Sequence, residues 1–187
     1  MRLRAAAVTC ALMLAVAACG GDDGGGDGEE ATDSTTPSTT SAPTTTLDPR
    51  DEVEASYLAY WDAFHKASMD PVDPQLPELQ ARMTGDQSRA TTRNLQNMQA
   101  TGLAVKRPDG ARHTHAVIDV GIEGNEAIVH ACSIDDLVTY EIATGRPTDD
   151  SIATKRYEAT LVRESGEWKV RLVTETERVE GIVPCPG

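Results

Sequence analysis

The chain has 187 residues and a formal charge of −13, from 30 Asp and Glu against 17 Lys and Arg. An acidic balance of this size excludes nucleic-acid binding through a basic patch, and equally a polybasic membrane contact. The length and the 39% hydrophobic content suit one domain with a real core, once the two low-complexity stretches near the start are set aside.

Arg2 and Arg4 precede an apolar run from Ala5 to Ala18, broken only by Thr9 and Cys10. A bilayer span needs roughly 20 apolar residues, so this run has the size of a signal-peptide core instead. It closes with Val16-Ala17-Ala18-Cys19, which resembles the bacterial lipobox. The resemblance implies cleavage before Cys19, a diacylglyceryl group on its thiol, and a lipid anchor on the extracytoplasmic face of the cell membrane. The competing reading is an ordinary secretory signal followed by an incidental cysteine. Residues 1–18 would be discarded, Cys10 with them. Residues 20–30 are Gly, Asp and Glu, and residues 31–46 are Thr, Ser, Pro and Ala. Neither part has periodic apolar residues to repay ordering, so 19–48 reads as the lipidated cysteine and a disordered tether. As a flexible coil its r.m.s. reach is roughly 30 Å.

The folded part is expected over 49–187. Asp48-Pro49 is a helix start, with Asp51 and Glu52 at the positive end of the dipole. Val53, Tyr57, Tyr60, Trp61, Phe64 and Ser68 recur at helical spacing, which predicts one aromatic helix over 49–67. A short helix is expected from near Pro74 and a polar one over 86–101, stopped by Gly102. From Leu103 the period is two. Strands are expected near 103–107, 112–122, 126–133, 137–142, 152–164 and 168–177, separated by turn clusters such as Gly124-Asn125 and Ser165-Gly166. Helices followed by a meandering antiparallel sheet make an α+β architecture.

Two cysteines remain after processing, Cys132 and Cys185. In an exported chain an even pair reads as a disulfide. A structural zinc site normally has a second cysteine two to four residues from the first, and neither has one. If Gly124-Asn125 is a two-residue hairpin turn, uniform pairing sets Ile122 opposite Ala127, Val120 opposite Val129 and Ile118 opposite Ala131 on a packed face. The reverse face then pairs Asp119 with His130, Val117 with Cys132 and His115 with Ile134. The tail would cross that face to bring Cys185 to Cys132. Trp168, Val170 and Leu172 are expected on the buried side of the last strand.

The run Tyr57-Leu58-Ala59-Tyr60-Trp61-Asp62-Ala63-Phe64 and the terminal Gly166-Glu167-Trp168-Lys169-Val170 are similar to the first helix and last hairpin of NTF2-like (SnoaL-like) domains. With the lipobox, the whole resembles lipoproteins of actinobacterial envelopes. The resemblance implies helices packed in the mouth of a curved antiparallel sheet, forming a cone. It also implies a non-catalytic role, binding an envelope protein or a small apolar ligand. Tyr57, Trp61, Phe64 and His65 are the candidate cavity lining. The alternative is an isomerase-like enzyme with an acid or base in the cone. No catalytic residue is assigned, since no phosphate loop, nucleophile elbow or HExxH occurs. Three neutral imidazoles could hold Zn²⁺ or Cu²⁺, and His113, His115 and His130 are the candidates. Uniform pairing separates them along their strands on a solvent-side face, so no metal and no cofactor is expected. Asp119–His130 reads as a surface pair.

Overall fold

The computed structural model describes residues 48–185; Cys19, the signal segment and the tether lie outside the described residues. Asp48 caps the first helix, its carboxylate accepting from the Arg50 amide at 2.9 Å, and α1 runs Pro49–Ser68. A short α2 (Pro77–Arg82) and a longer α3 (Gly85–Thr101) follow. Gly102 ends α3 in the left-handed region at φ 66°, where a side chain would be strained. No helix among the described residues is long and apolar enough to cross a membrane.

Seven strands come next: β1 (Leu103–Lys106), β2 (Thr114–Glu123), β3 (Glu126–Asp135), β4 (Val138–Glu141), β5 (Pro147–Asp149), β6 (Ala153–Glu164) and β7 (Glu167–Glu180). All named strands pair antiparallel, in the order β2-β3-β6-β7 for the large sheet and β1-β4-β5 for the small one. The fold is α+β, with N-terminal helices packed on curved antiparallel sheet. The short edge strand β5 was not expected; its residues include Pro147, and the sequence there reads as turn.

The core lies between α1 and the concave face of the large sheet. Val53, Tyr57, Tyr60, Ala63 and Ala67 of α1 pack with Val129, Leu161 and Val170. Ala127, Ala131 and Ala159 are also buried on this face. Their small side chains leave room for the aromatic rings of α1.

The β2–β3 hairpin departs from uniform pairing at one residue. Asp119 pairs with His130, Val120 with Val129 and Ile122 with Ala127, but Val117 then pairs with Ala131, Ala116 with Cys132 and His115 with Ser133. Ile118 is the extra residue of a β-bulge and is 40% exposed, not packed beneath the helices. Side chains alternate at each residue, so one extra residue exchanges the two faces. Val117, His115 and His113 therefore face inward. The last strand repeats the device. Thr160 pairs with Leu172 and Leu161 with Val170, leaving Arg171 extra. Leu172 is 47% exposed in consequence, and Val173 packs against the core instead.

After β7 the tail folds back. Gly181 donates to the Ile152 carbonyl, and the Thr154 hydroxyl accepts from the Val183 amide at 2.8 Å. This carries Cys185 across the outer face to Cys132, and the two are disulfide-bonded. The Asp119 carboxylate pairs with Arg50 at 2.7 Å, linking β2 to the start of α1, while His130 is exposed.

Cys185→Ser should lower unfolding free energy by about 4 kcal/mol, the loop-closure value for a separation of 53 residues. Urea denaturation of the two forms measures it. A loss under about 1 kcal/mol would mean that the tail's hydrogen bonds alone hold it.

Candidate functional site

One cavity of about 460 Å³ opens between α1, α3 and the inner faces of the strands. Drug-sized and cofactor sites occupy roughly 300–1,000 Å³. Its aromatic wall comes from α1. Trp61 and His65 are four residues apart, so they share one face of the helix. Trp61, Phe64 and His65 all line the cavity. Tyr57 does not; it is fully buried in the core beneath. Tyr60 reaches the cavity and accepts from Gln87 Nε2 at 2.6 Å; Gln87 in turn accepts from the Val173 amide, joining α1, α3 and β7.

The opposite wall carries what sequence reasoning placed on the outside. His115 stacks on Trp61 with ring centroids 4.2 Å apart, and His113 meets His65 edge-on at 4.2 Å. His65 and His115 are 5.3 Å apart by the same measure, and His113 and His115 5.1 Å. The segment before β2 is held by Asp136, whose carboxylate accepts from the Arg112 amide next to His113. The three donor atoms lie within 4.8 Å of one another. His130, on the outer face, is not part of this group; His65 takes the place considered for it. The signal in the sequence was Val117-Ile118, two adjacent apolar residues where strict alternation allows one.

Polar side chains complete the wall. Asp135 pairs with Lys155 Nζ at 2.5 Å and lies 3.8 Å from His113 Nδ1. Neither ring nitrogen of His113 or His115 has a hydrogen-bond partner among the described residues, although all four atoms are buried. Burial disfavours the imidazolium form at each ring. His65 is held down to about 3, first by desolvation, then by His113 beside it; nearby Asp135 acts the other way. His115 is held down to about 2 by desolvation and by the other two histidines. His113 is lowered for the same first reason, with Asp135 opposing. Tyr157, beneath His115, is raised by burial and by Glu175.

Chemically, the cavity presents neutral nitrogen donors, an aromatic plate and one ion pair. An imidazole whose conjugate acid titrates near 3 is a weak base at neutral pH, and Asp135 already holds a cation.

No family model matches the sequence. No curated protein matches it either. Solved structures do resemble the fold. The intermembrane-space region of the chloroplast protein ARC6 aligns over 70% of this chain and 97% of its own, at 15% identity and a TM-score of 0.57. An aromatic-ring-hydroxylase-like protein from Novosphingobium aromaticivorans aligns over 72% of this chain and 96% of its own, at 16% identity and a TM-score of 0.43. A Nostoc punctiforme protein with a cystatin-like fold aligns over 65% of this chain and 88% of its own, at 11% identity and a TM-score of 0.36. At such identities the first similarity speaks for the fold alone.

In chelator-treated protein, stability should fall as pH drops from 7 to 5. Unfolded histidines take up protons near 6.5, while folded His65 and His115 stay neutral until about 3 and about 2. The unfolded state therefore binds more protons below 6.5, and the folded state loses ground as pH falls. Carboxylates are still mostly ionised at pH 5, so they contribute little in this window. The double variant His65→Phe/His115→Phe should show a flatter melting temperature between pH 7 and 5. Parallel profiles for the two proteins would refute the assignment.

Proposed function

We propose that this is a lipid-anchored envelope protein whose NTF2-like domain binds a small ligand with an apolar, partly aromatic body, without catalysing a reaction on it. The observation that carries the ligand reading is the cavity, with Trp61 and Phe64 on one wall and polar groups opposite. Aromatic faces take up planar apolar surface, and a few fixed polar groups orient it. The anchoring half rests on the sequence from Arg2 to Cys19. One acyl chain binds membranes weakly, and two or three hold firmly. On this reading the tether gives the cavity a working radius of roughly 30 Å above the membrane surface. A role in presenting or sequestering a lipophilic molecule there fits both halves.

The enzyme alternative would need a group poised to exchange protons near neutrality. The cavity's imidazoles are held far below that range, which favours binding.

Two measurements test the two halves separately. Cys19→Ala should move the protein from the membrane fraction into the medium; retention in the membrane would overturn the anchor. For the ligand, the full chain isolated without denaturation should release a small molecule detectable by mass spectrometry on unfolding. Trp61→Ala should lower occupancy about tenfold or more, as truncating a buried aromatic anchor does. Equal occupancy in the variant would place the molecule outside the cavity, and an empty wild-type protein would overturn the ligand reading.

A further inference from the structure

We propose that His65, His113 and His115 bind one divalent late-first-row transition metal ion, Zn²⁺ or Cu²⁺, leaving a fourth coordination position for water or for a donor atom of a cavity ligand. This goes beyond the small-ligand reading and does not depend on it.

The geometry is the first argument. Three imidazoles converge, from α1 (His65), β2 (His115) and the segment just before β2 (His113), with donor atoms within 4.8 Å of one another. Zinc–nitrogen bonds of about 2.0–2.1 Å at tetrahedral angles set donors about 3.4 Å apart. On binding, the donors would draw together by up to about 1.4 Å.

The second argument is polar satisfaction. Buried polar atoms in folded proteins nearly always have partners, and an unpartnered one costs about 1–3 kcal/mol. Both nitrogens of His113 and both of His115 lack one among the described residues. A shared ion satisfies one nitrogen of each ring. For His113, the other has a partner within reach: Asp135 is 3.8 Å from Nδ1, so a shift of about 1 Å makes a hydrogen bond. A carboxylate behind a ligating histidine orients the ring and raises its basicity. Trp61, stacked on His115, fixes the orientation of the second ring.

The donor set selects the ion. Three neutral nitrogens suit Zn²⁺ and Cu²⁺, whereas Mg²⁺ and Ca²⁺ require oxygen donors. Metals bind imidazole through a ring nitrogen, and the buried nitrogens of His113 and His115 lack any other partner among the described residues. Positive charge works against the site: Lys155 lies on the same wall, and Arg107 is close enough to disfavour the imidazolium forms. Lys155 is paired with Asp135, which lowers its opposition.

Calorimetric titration of ZnCl₂ alone into the chelator-treated full chain in detergent tests this directly. One equivalent should bind with a Kd below about 1 μM. His65→Asn should weaken binding about 100-fold or more, because it removes a ligand. Asp135→Asn should weaken it about 10- to 100-fold while leaving three ligands in place. His130→Asn, on the exposed outer face, should leave it unchanged. Circular dichroism on every variant separates lost ligation from lost folding, and Asp135→Asn retains all three histidines should His65→Asn fail to fold. Failure to take up one equivalent would overturn the site. So would undiminished binding in both folded His65→Asn and Asp135→Asn. The organic ligand is read on protein without added metal, so either reading can fail while the other stands.

Discussion

The inward turn of His115, and of His113 just before β2, depends on one extra residue, Ile118. An antiparallel ladder without interruption keeps one set of alternate side chains against the core. With the bulge, the half of β2 nearest the turn buries Val120, while the other half turns Val117, His115 and His113 inward. A bulge also bends its strand and increases local twist. The extra Arg171 in β7 has the same effect on the other side of the large sheet, and a further register shift near Thr176 follows it. A flat sheet would lie against α1 along its whole length. The bent one closes on the helix at Val129, Leu161 and Val170, and it stands off where the cavity opens.

Much of the scaffold was legible because its signals are local. Asp48-Pro49, Gly102, Gly124-Asn125 and Ser165-Gly166 mark boundaries through backbone chemistry that needs no tertiary context. Apart from β5, the observed elements fall within a few residues of the expected ones. The pairing of Cys132 with Cys185 was expected from an even cysteine count in a chain read as exported, and the disulfide is present. The candidate site was poorly legible for a different reason. Facing direction is a cumulative property, and one uncounted residue reverses everything beyond it. Adjacent apolar residues at Val117-Ile118 and Leu172-Val173 are where alternation fails, yet such doublets also occur where a strand is buried on both faces. Tyr57 shows the complementary limit. Its helical face is right, but depth along the axis decides whether a residue meets the cavity or the core, and depth depends on the sheet's curvature.

The histidines set stability against binding. Three uncharged imidazoles beside Trp61 contribute packing area, and their unpartnered nitrogens take some of it back. Phenylalanine or leucine would pack at least as well there without the polar cost. Clustered like groups with shifted protonation equilibria are typical of functional sites, because a site must keep groups ready for something not yet bound. The imidazoles, the Asp135–Lys155 pair and the aromatic plate of α1 line one pocket, and the proposed ion and ligand would account for all of them together.

The disulfide belongs to the same mechanics. Cys132 pairs across the ladder with Ala116, one residue from the His115–Ser133 pair. The covalent strap therefore crosses the outer face directly behind the wall that carries His115. Bulged strands lose ladder regularity and are the natural place for a sheet to open. Thr154 and the tail backbone reinforce β6 at the same level, where Thr154 pairs with Ile134 of β3. Bracing from outside supports the β2–β3 ladder at the level of His115 without placing a side chain in the cavity. The inner face there carries the buried nitrogens of His113 and His115, which have no hydrogen-bond partner among the described residues.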